Sequence, residues 1–290
     1  MPRTRSTPFV LLAALFLTAC GSRTGIEIAS DARDPVDGGL PAGTTHLGAI
    51  TLMSGGNGAY AYGSAQFFQP TSELPATCGG TAGSAAIRLA STGGCGLVRY
   101  SICQGQLSLD AGTILVSTPG FAAALAYIGE SPRGDYPNSI IIPRPQGLSA
   151  GSTVDFEGQG GPDVPPFKVS VTVPALGRLI TPADTLGAPP TIDTTVDLNV
   201  RWAPIPGGEA VFAIGIGGLE AVSCYFDGAS GSGVVPQSAL AAIKALSASG
   251  PAGLSFVAMA RGQTIAGTWA IEALAFNSGP ESEGFPVLLQ

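Results

Sequence analysis

Phe167-Lys168-Val169-Ser170-Val171-Thr172-Val173 is the stretch that decides the fold class. Phe167, Val169, Val171 and Val173 alternate with Lys168, Ser170 and Thr172, a period of two that lines one face of a strand with apolar groups and wets the other. Pro174 closes the run. The same alternation returns further on, where Val196, Leu198, Val200 and Trp202 interleave with Asp197, Asn199 and Arg201. Between and beyond these two segments lie further short β-branched or aromatic runs bounded by Gly, Pro or Asn: 46–53, 59–68, 97–102, 114–117, 139–142 and 154–157 before Pro174, then 210–216, 220–226, 254–260 and 268–276. Ser54-Gly55-Gly56-Asn57-Gly58 reads as a hairpin connection between the first two. One helical turn stands out, Pro236 to Leu246, with Leu240, Ile243 and Leu246 on one face. The alanine-rich stretch from Gly120 to Ile128 reads as helix or strand, with strand preferred. Many short strands without interleaved helices predict an all-β protein.

Thr181 to Thr194 contains Pro182, Gly187, Pro189 and Pro190, which marks it as a junction. On that reading residues 45–181 form a first β-sandwich and residues 182–290 a second, immunoglobulin- or fibronectin-like one. About 245 residues follow residue 44, too many for one simple sandwich and comfortable for two. Trp202 and Trp269 lie on separate strands of the second half, each expected in its core.

The N-terminus supplies an address. Arg3 and Arg5 form a basic head, and Phe9 to Leu17 is an apolar run too short to span a bilayer as a finished helix. Leu17-Thr18-Ala19-Cys20 follows, and this layout resembles the lipobox of bacterial lipoproteins. The resemblance implies that residues 1–19 are a signal peptide and that Cys20 becomes the lipid-bearing first residue. Gly21 and Ser22 follow with no aspartate beside the cysteine, which resembles the outer-membrane class. Residues 20–44 hold Asp31, Asp34, Asp37, Pro35 and Pro41 without hydrophobic periodicity, so a disordered, lipidated tether is expected there.

Without residues 1–19 the chain carries 11 basic and 20 acidic residues, a net charge of −9. A negative chain with no Lys/Arg cluster offers no footprint for nucleic acid. Charged residues are only 11% of the total, well under the usual share of about a quarter. Surfaces are then solvated by hydroxyls and backbone, as in many extracytoplasmic β-proteins.

Besides Cys20 there are four cysteines, Cys78, Cys95, Cys103 and Cys224, an even number that reads as disulfides in an exported chain. A straight strand between Cys95 and Cys103 would hold them too far apart to bond. Cys78 is the better local partner for one of them, with the overall pairing left open. There is no C-x-x-C, and His46 is the single histidine, so neither a zinc site nor a cofactor is expected.

A further set of short motifs spans nearly the whole exported part: Ala65-Gln66-Phe67-Phe68, Gly94-Cys95, Asp110-Ala111-Gly112-Thr113-Ile114, Phe156-Glu157-Gly158-Gln159-Gly160-Gly161, Asp197-Leu198-Asn199-Val200-Arg201-Trp202, Cys224-Tyr225-Phe226 and Ala266-Gly267-Thr268-Trp269. Together they resemble a group of myxobacteria-type exported lipoproteins. The resemblance implies a β-sandwich lipoprotein. It transfers no functional residue.

Few segments carry a pattern that points to catalysis. Gly147-Leu148-Ser149-Ala150-Gly151 fits G-x-S-x-G, but a strand rather than a helix is expected after it, and His46 lies about a hundred residues upstream. It reads as a turn. Lys168 and Lys244, the two lysines, sit in no S-x-x-K frame. Asp155 and Glu157 share a strand face, with Asp163 across a glycine loop, and could form an acid/base pair or a calcium site. The wet face of an edge strand explains them as well. The expectation is therefore a lipid-anchored envelope protein, non-catalytic, with a structural or interaction role and an envelope protein or glycan as partner. The alternatives are a carbohydrate or small-ligand binding module and a carboxylate-dependent hydrolase.

Overall fold

A computed structural model describes residues 24–29, 43–55, 60–68, 94–102, 109–127, 136–143, 149–183, 188–216, 220–246, 252–277 and 284–290. In chain order the strands are β1 (Thr24–Ala29), β2 (His46–Gly55), β3 (Tyr60–Phe68), β4 (Cys95–Ile102), β5 (Ile114–Thr118), β6 (Phe121–Leu125) and β7 (Tyr136–Pro143). Then come β8 (Thr153–Gly158), β9 (Phe167–Thr172), β10 (Leu179–Thr181), β11 (Thr191–Ile192), β12 (Leu198–Trp202), β13 (Glu209–Ile216), β14 (Glu220–Asp227) and β15 (Ser232–Val235). Helix α1 (Gln237–Leu246) leads into β16 (Ala252–Ala266), β17 (Trp269–Asn277) and β18 (Phe285–Leu289). The protein is an all-β sandwich, as expected.

One large sheet runs β1-β4-β14-β13-β16-β17-β2-β3-β7, with β18 joining β16 and β11 joining β18. Two smaller sheets, β6-β5-β8-β9 and β10-β12-β15, supply the facing layers. The first core lies between β8, β9 and β5 on one side and β2, β3 and β17 on the other, with Val154, Phe156, Val169 and Val171 meeting Ile50, Phe67, Trp269 and Ile271. The second gathers Val200, Trp202, Val235, Leu240 and Ile243 against Phe212, Ile214, Cys224, Leu254 and Phe256. Strand β16 threads both: Leu254, Phe256 and Ala258 belong to the second core, and Ala260, next on the same face, belongs to the first.

The expected boundary at 181/182 is therefore corrected. Two cores exist, but the strands do not divide between them at that point. β17, from the second half, pairs in parallel with β2, from the first, over nine registered positions from Trp269↔His46 to Asn277↔Ser54. At the other end of the sheet β4 pairs with β14, with Glu220 opposite Arg99 and Cys224 opposite Cys95. The physical reason is visible in β17 itself, Trp269-Ala270-Ile271-Glu272-Ala273, in which every residue is buried. A strand buried on both faces needs partners on both edges, and the parallel neighbour β2 supplies one of them inside the larger sheet. Phe67 lies 5.8 Å from Trp269, ring to ring, so an aromatic contact also joins the halves, and within the first half Phe67 lies 5.6 Å from Phe167. Each such pair adds about 0.5–1.5 kcal/mol beyond its buried area.

A second correction concerns the tether. Thr24–Ala29 is a strand, registered with β4 from Thr24↔Ile102 to Ala29↔Leu97. Ile26 and Ile28 alternate with Gly25 and Glu27, a pattern too short to stand out among the aspartates and prolines around it. The rest of the tether up to residue 42 lies outside the described residues. The helix forms as expected, starting at Gln237, whose N–H donates to the Asp197 carboxylate at 2.7 Å and so caps an otherwise free donor. The alanine-rich stretch is indeed a strand, β6, paired with β5.

Candidate functional site

The carboxylates singled out from the sequence do not converge. Asp155 and Glu157 sit on the solvent-side positions of β8, where they stand opposite Ser170 and Lys168 of β9. Asp155 Oδ1 accepts from the Ser170 hydroxyl at 2.5 Å. Asp163 turns away: its Oδ2 accepts from the Asp110 N–H at 3.0 Å, and Asp110 Oδ1 accepts from the Gly112 N–H at 2.7 Å. The intervening glycines are close-packed. A Cβ on Gly161 would lie 2.4 Å from the Asp110 carbonyl oxygen, and one on Gly112 (φ +69°) would lie 2.3 Å from that of Gly160. The loop beside Glu157 is thus a packed joint between two backbones.

The remaining sequence candidates fall in separate places. Ser149 is exposed in a turn, its hydroxyl 2.9 Å from that of Ser152, while Gly147 and Leu148 lie outside the described residues. His46 begins β2, stacks on Trp269 at 4.7 Å between centroids, and places Nδ1 2.8 Å from the Thr45 hydroxyl. Lys244 donates to the Leu289 carbonyl. Trp202 and Trp269 are 1% and 2% exposed, and the Trp202 indole N–H donates to the Gly228 carbonyl at 2.9 Å. Cys95 is bonded to Cys224 across β4 and β14, one of the pairings the sequence left open. The reason is register: the two residues face each other directly in the ladder. Cys20, Cys78 and Cys103 lie outside the described residues, as do the side chains of Tyr60, Tyr62 and Tyr136. Among the described residues no group of three His, Cys, Asp or Glu side chains is placed to hold a metal. Among the described residues no helix is long and apolar enough to cross a membrane.

Among the described residues one concentrated group of charges stands out, at positions the sequence reading does not single out. It lies on the face of the large sheet opposite the two cores and comprises Glu209 (β13), Arg261 (β16) and Glu272 (β17). Pairing sets it up: Glu209 opposes Met259, Glu272 opposes Gln263, and Arg261 stands on β16 between those two positions. Arg261 Nε and Nη2 donate to the two Glu209 oxygens at 2.6 and 3.1 Å, and Nη1 donates to Glu272 Oε1 at 3.2 Å. The guanidinium carbon lies 5.4 Å from the centroid of the Tyr225 ring, a cation–π distance. Glu272 is 1% exposed, and its Oε2 has no hydrogen-bond partner among the described residues. Burial pushes the Glu272 carboxyl above the ordinary carboxylate range. Arg261 and the nearby Gln263 amide pull it back, while the Glu209 charge adds to the rise. The bidentate fork uses both oxygens of Glu209, and burial closes Glu272 to any substrate. The group ties three strands together and offers no acid or base to a reacting molecule. Its signal was present in the sequence: Arg261 and Glu272 each interrupt an otherwise apolar run, where a charge requires a partner.

No family model matches the chain, and no curated protein matches it significantly. Among solved structures, a two fibronectin type-III domain segment from chicken tenascin is similar at 14% identity, over 64% of this chain and 92% of that one, with a TM-score of 0.16. At that score no argument rests on it, and the sandwich class stands on the strand pairing described above.

Proposed function

We propose that the protein is a lipid-anchored component of a bacterial cell envelope, non-catalytic, serving as a structural or interaction module. The observation that carries this reading is the ordered series at the N-terminus: basic Arg3 and Arg5, the apolar Phe9–Leu17, then Leu17-Thr18-Ala19-Cys20. The absence of an aspartate after Cys20 favours the outer membrane. A disulfide between Cys95 and Cys224 agrees with folding in an oxidising compartment. The dispersal of Asp155, Glu157 and Asp163, and the burial of Glu272, support the non-catalytic part. Trp202 and Trp269 are both buried and offer no flat surface for a sugar to stack on. Growth on labelled palmitate is the test: the full chain should take up label, and Cys20→Ala should lose it. Label that persists in Cys20→Ala, or none in the parent, refutes the anchor.

A further inference from the structure

The spacing between Cys20 and β1 says how the body would sit on its membrane. We propose that the Thr24 end of the large sheet is held against the lipid surface and that the turn at Gly267 points away from it; this rests on the lipid-anchor reading. Only Gly21, Ser22 and Arg23 separate the acylated residue from Thr24. Four chain steps reach at most about 14 Å when fully extended. A flexible tether running from Cys20 to Thr44 would have a typical span near 27 Å and a far longer maximum. The short link is what distinguishes a docked body from a dangling one.

The strand at the end of that link is no loose arm. β1 pairs with β4 along its whole length, and β4 is bonded through Cys95 to Cys224 inside the second core. The register fixes which other groups share the Thr24 end. Thr24 pairs with Ile102, three residues beyond Arg99, which pairs with Glu220, the first residue of β14. Glu220 faces Ile216 at the close of β13, and Ile216 faces Ala252 at the start of β16. Helix α1 ends at the same level, where Lys244 donates to the carbonyl of Leu289, two residues past the pairing of Val287 with Ala252. From Ala252, β16 runs 15 residues to Ala266, about 46 Å at the usual rise per residue. Ile265, 60% exposed, therefore lies at the far end of the sheet from Thr24. The lipid surface is thus the partner of the Thr24 end, and the Gly267 turn with the adjoining His46 end of β2 is presented outward.

The test uses the lipidated full chain in vesicles of phosphatidylethanolamine and phosphatidylglycerol whose headgroups carry an acceptor dye. A donor dye is placed by an azido amino acid at exposed Ala245 on α1 in one preparation and at Ile265 in another. Transfer from position 245 should be strong and from position 265 weak. Inserting twenty Gly/Ser residues between Arg23 and Thr24 restores a span of about 27 Å and should pull the 245 signal down toward that at 265. Equal transfer from the two positions in the parent, or no response to the insertion, overturns the docked orientation while leaving the anchor intact. A parent chain that associates with vesicles no better than Cys20→Ala overturns the anchor reading and the orientation with it.

Discussion

Replacing Cys95 and Cys224 together by alanine should cost the protein about 4–5 kcal/mol of unfolding free energy. The bond joins residues 129 apart in sequence. Opening a loop of that length returns on the order of 17 cal/mol/K of chain entropy to the unfolded state, about 5 kcal/mol at 25 °C in the chain-entropy model. Residual structure in the unfolded chain trims that figure, and the gap left beside fully buried Cys224 adds to it. A bond from Cys78 to Cys95 would close a far shorter loop, worth about 3 kcal/mol, and would make Cys224→Ala nearly silent. Urea unfolding followed by tryptophan fluorescence measures the difference. With a slope of about 2–3 kcal/mol per molar, the midpoint should fall by roughly 1.5–2 M, and the slope should rise as the unlinked chain expands. Single Cys95→Ala and Cys224→Ala variants should lose similar amounts, because each opens the same bond. A midpoint within about 0.3 M of the parent, with an unchanged slope, would refute the long-range linkage.

Two further outcomes follow from particular contacts. Gly262→Ala would place a Cβ 1.9 Å from the Ser170 carbonyl oxygen, where ordinary contact begins at 3.4 Å, so β9 must retreat from β16 by about 1.5 Å. We expect a loss of about 2–3 kcal/mol and a melting temperature lower by roughly 5–10 °C, whereas an unchanged thermal transition would show that the sheets are not in contact there. Glu272→Gln should alter the pH dependence of stability. The folded carboxyl binds its proton more tightly than the unfolded one, so between the ordinary carboxylate range and its raised value the native state holds more protons and stability falls as pH rises. The glutamine variant lacks that slope, and its advantage over the parent should grow from pH 4.5 to 7 in urea titrations; parallel curves, or an advantage that shrinks, would contradict the assignment.

The features legible in the sequence were those set by local periodicity. Phe167–Val173 and Val196–Trp202 announced their strands because each has one wet face, and the helix announced itself through Leu240 and Ile243. Features set by distant partners were not legible. Nothing within Trp269–Asn277 says that its neighbour is His46–Gly55, more than two hundred residues upstream, although a run buried on both faces does imply an interior position. The proline-rich passage at 181–194 looked like a domain junction because turns and linkers use the same residues; here it carries two short strands at its ends. Thr24–Ala29 was missed since two isoleucines among aspartates and prolines give too little pattern. As for the sites, Asp155 and Glu157 were placed on the correct face, while the Glu209–Arg261–Glu272 group depends on register across three strands, which no spacing within one segment encodes.

Separating the two halves tests the central structural claim, that one sheet is woven from both. Residues 182–290 expressed alone would keep β13, β14 and β16 but lose β2 beside β17, the layer covering Trp269, Ile271 and Ala273, and the partner of Cys224. Measured by urea unfolding and amide dispersion, this fragment should show no cooperative transition and collapsed proton spectra. A sharp transition with well-dispersed amides would mean that the second half is a self-sufficient domain, and would contradict the account.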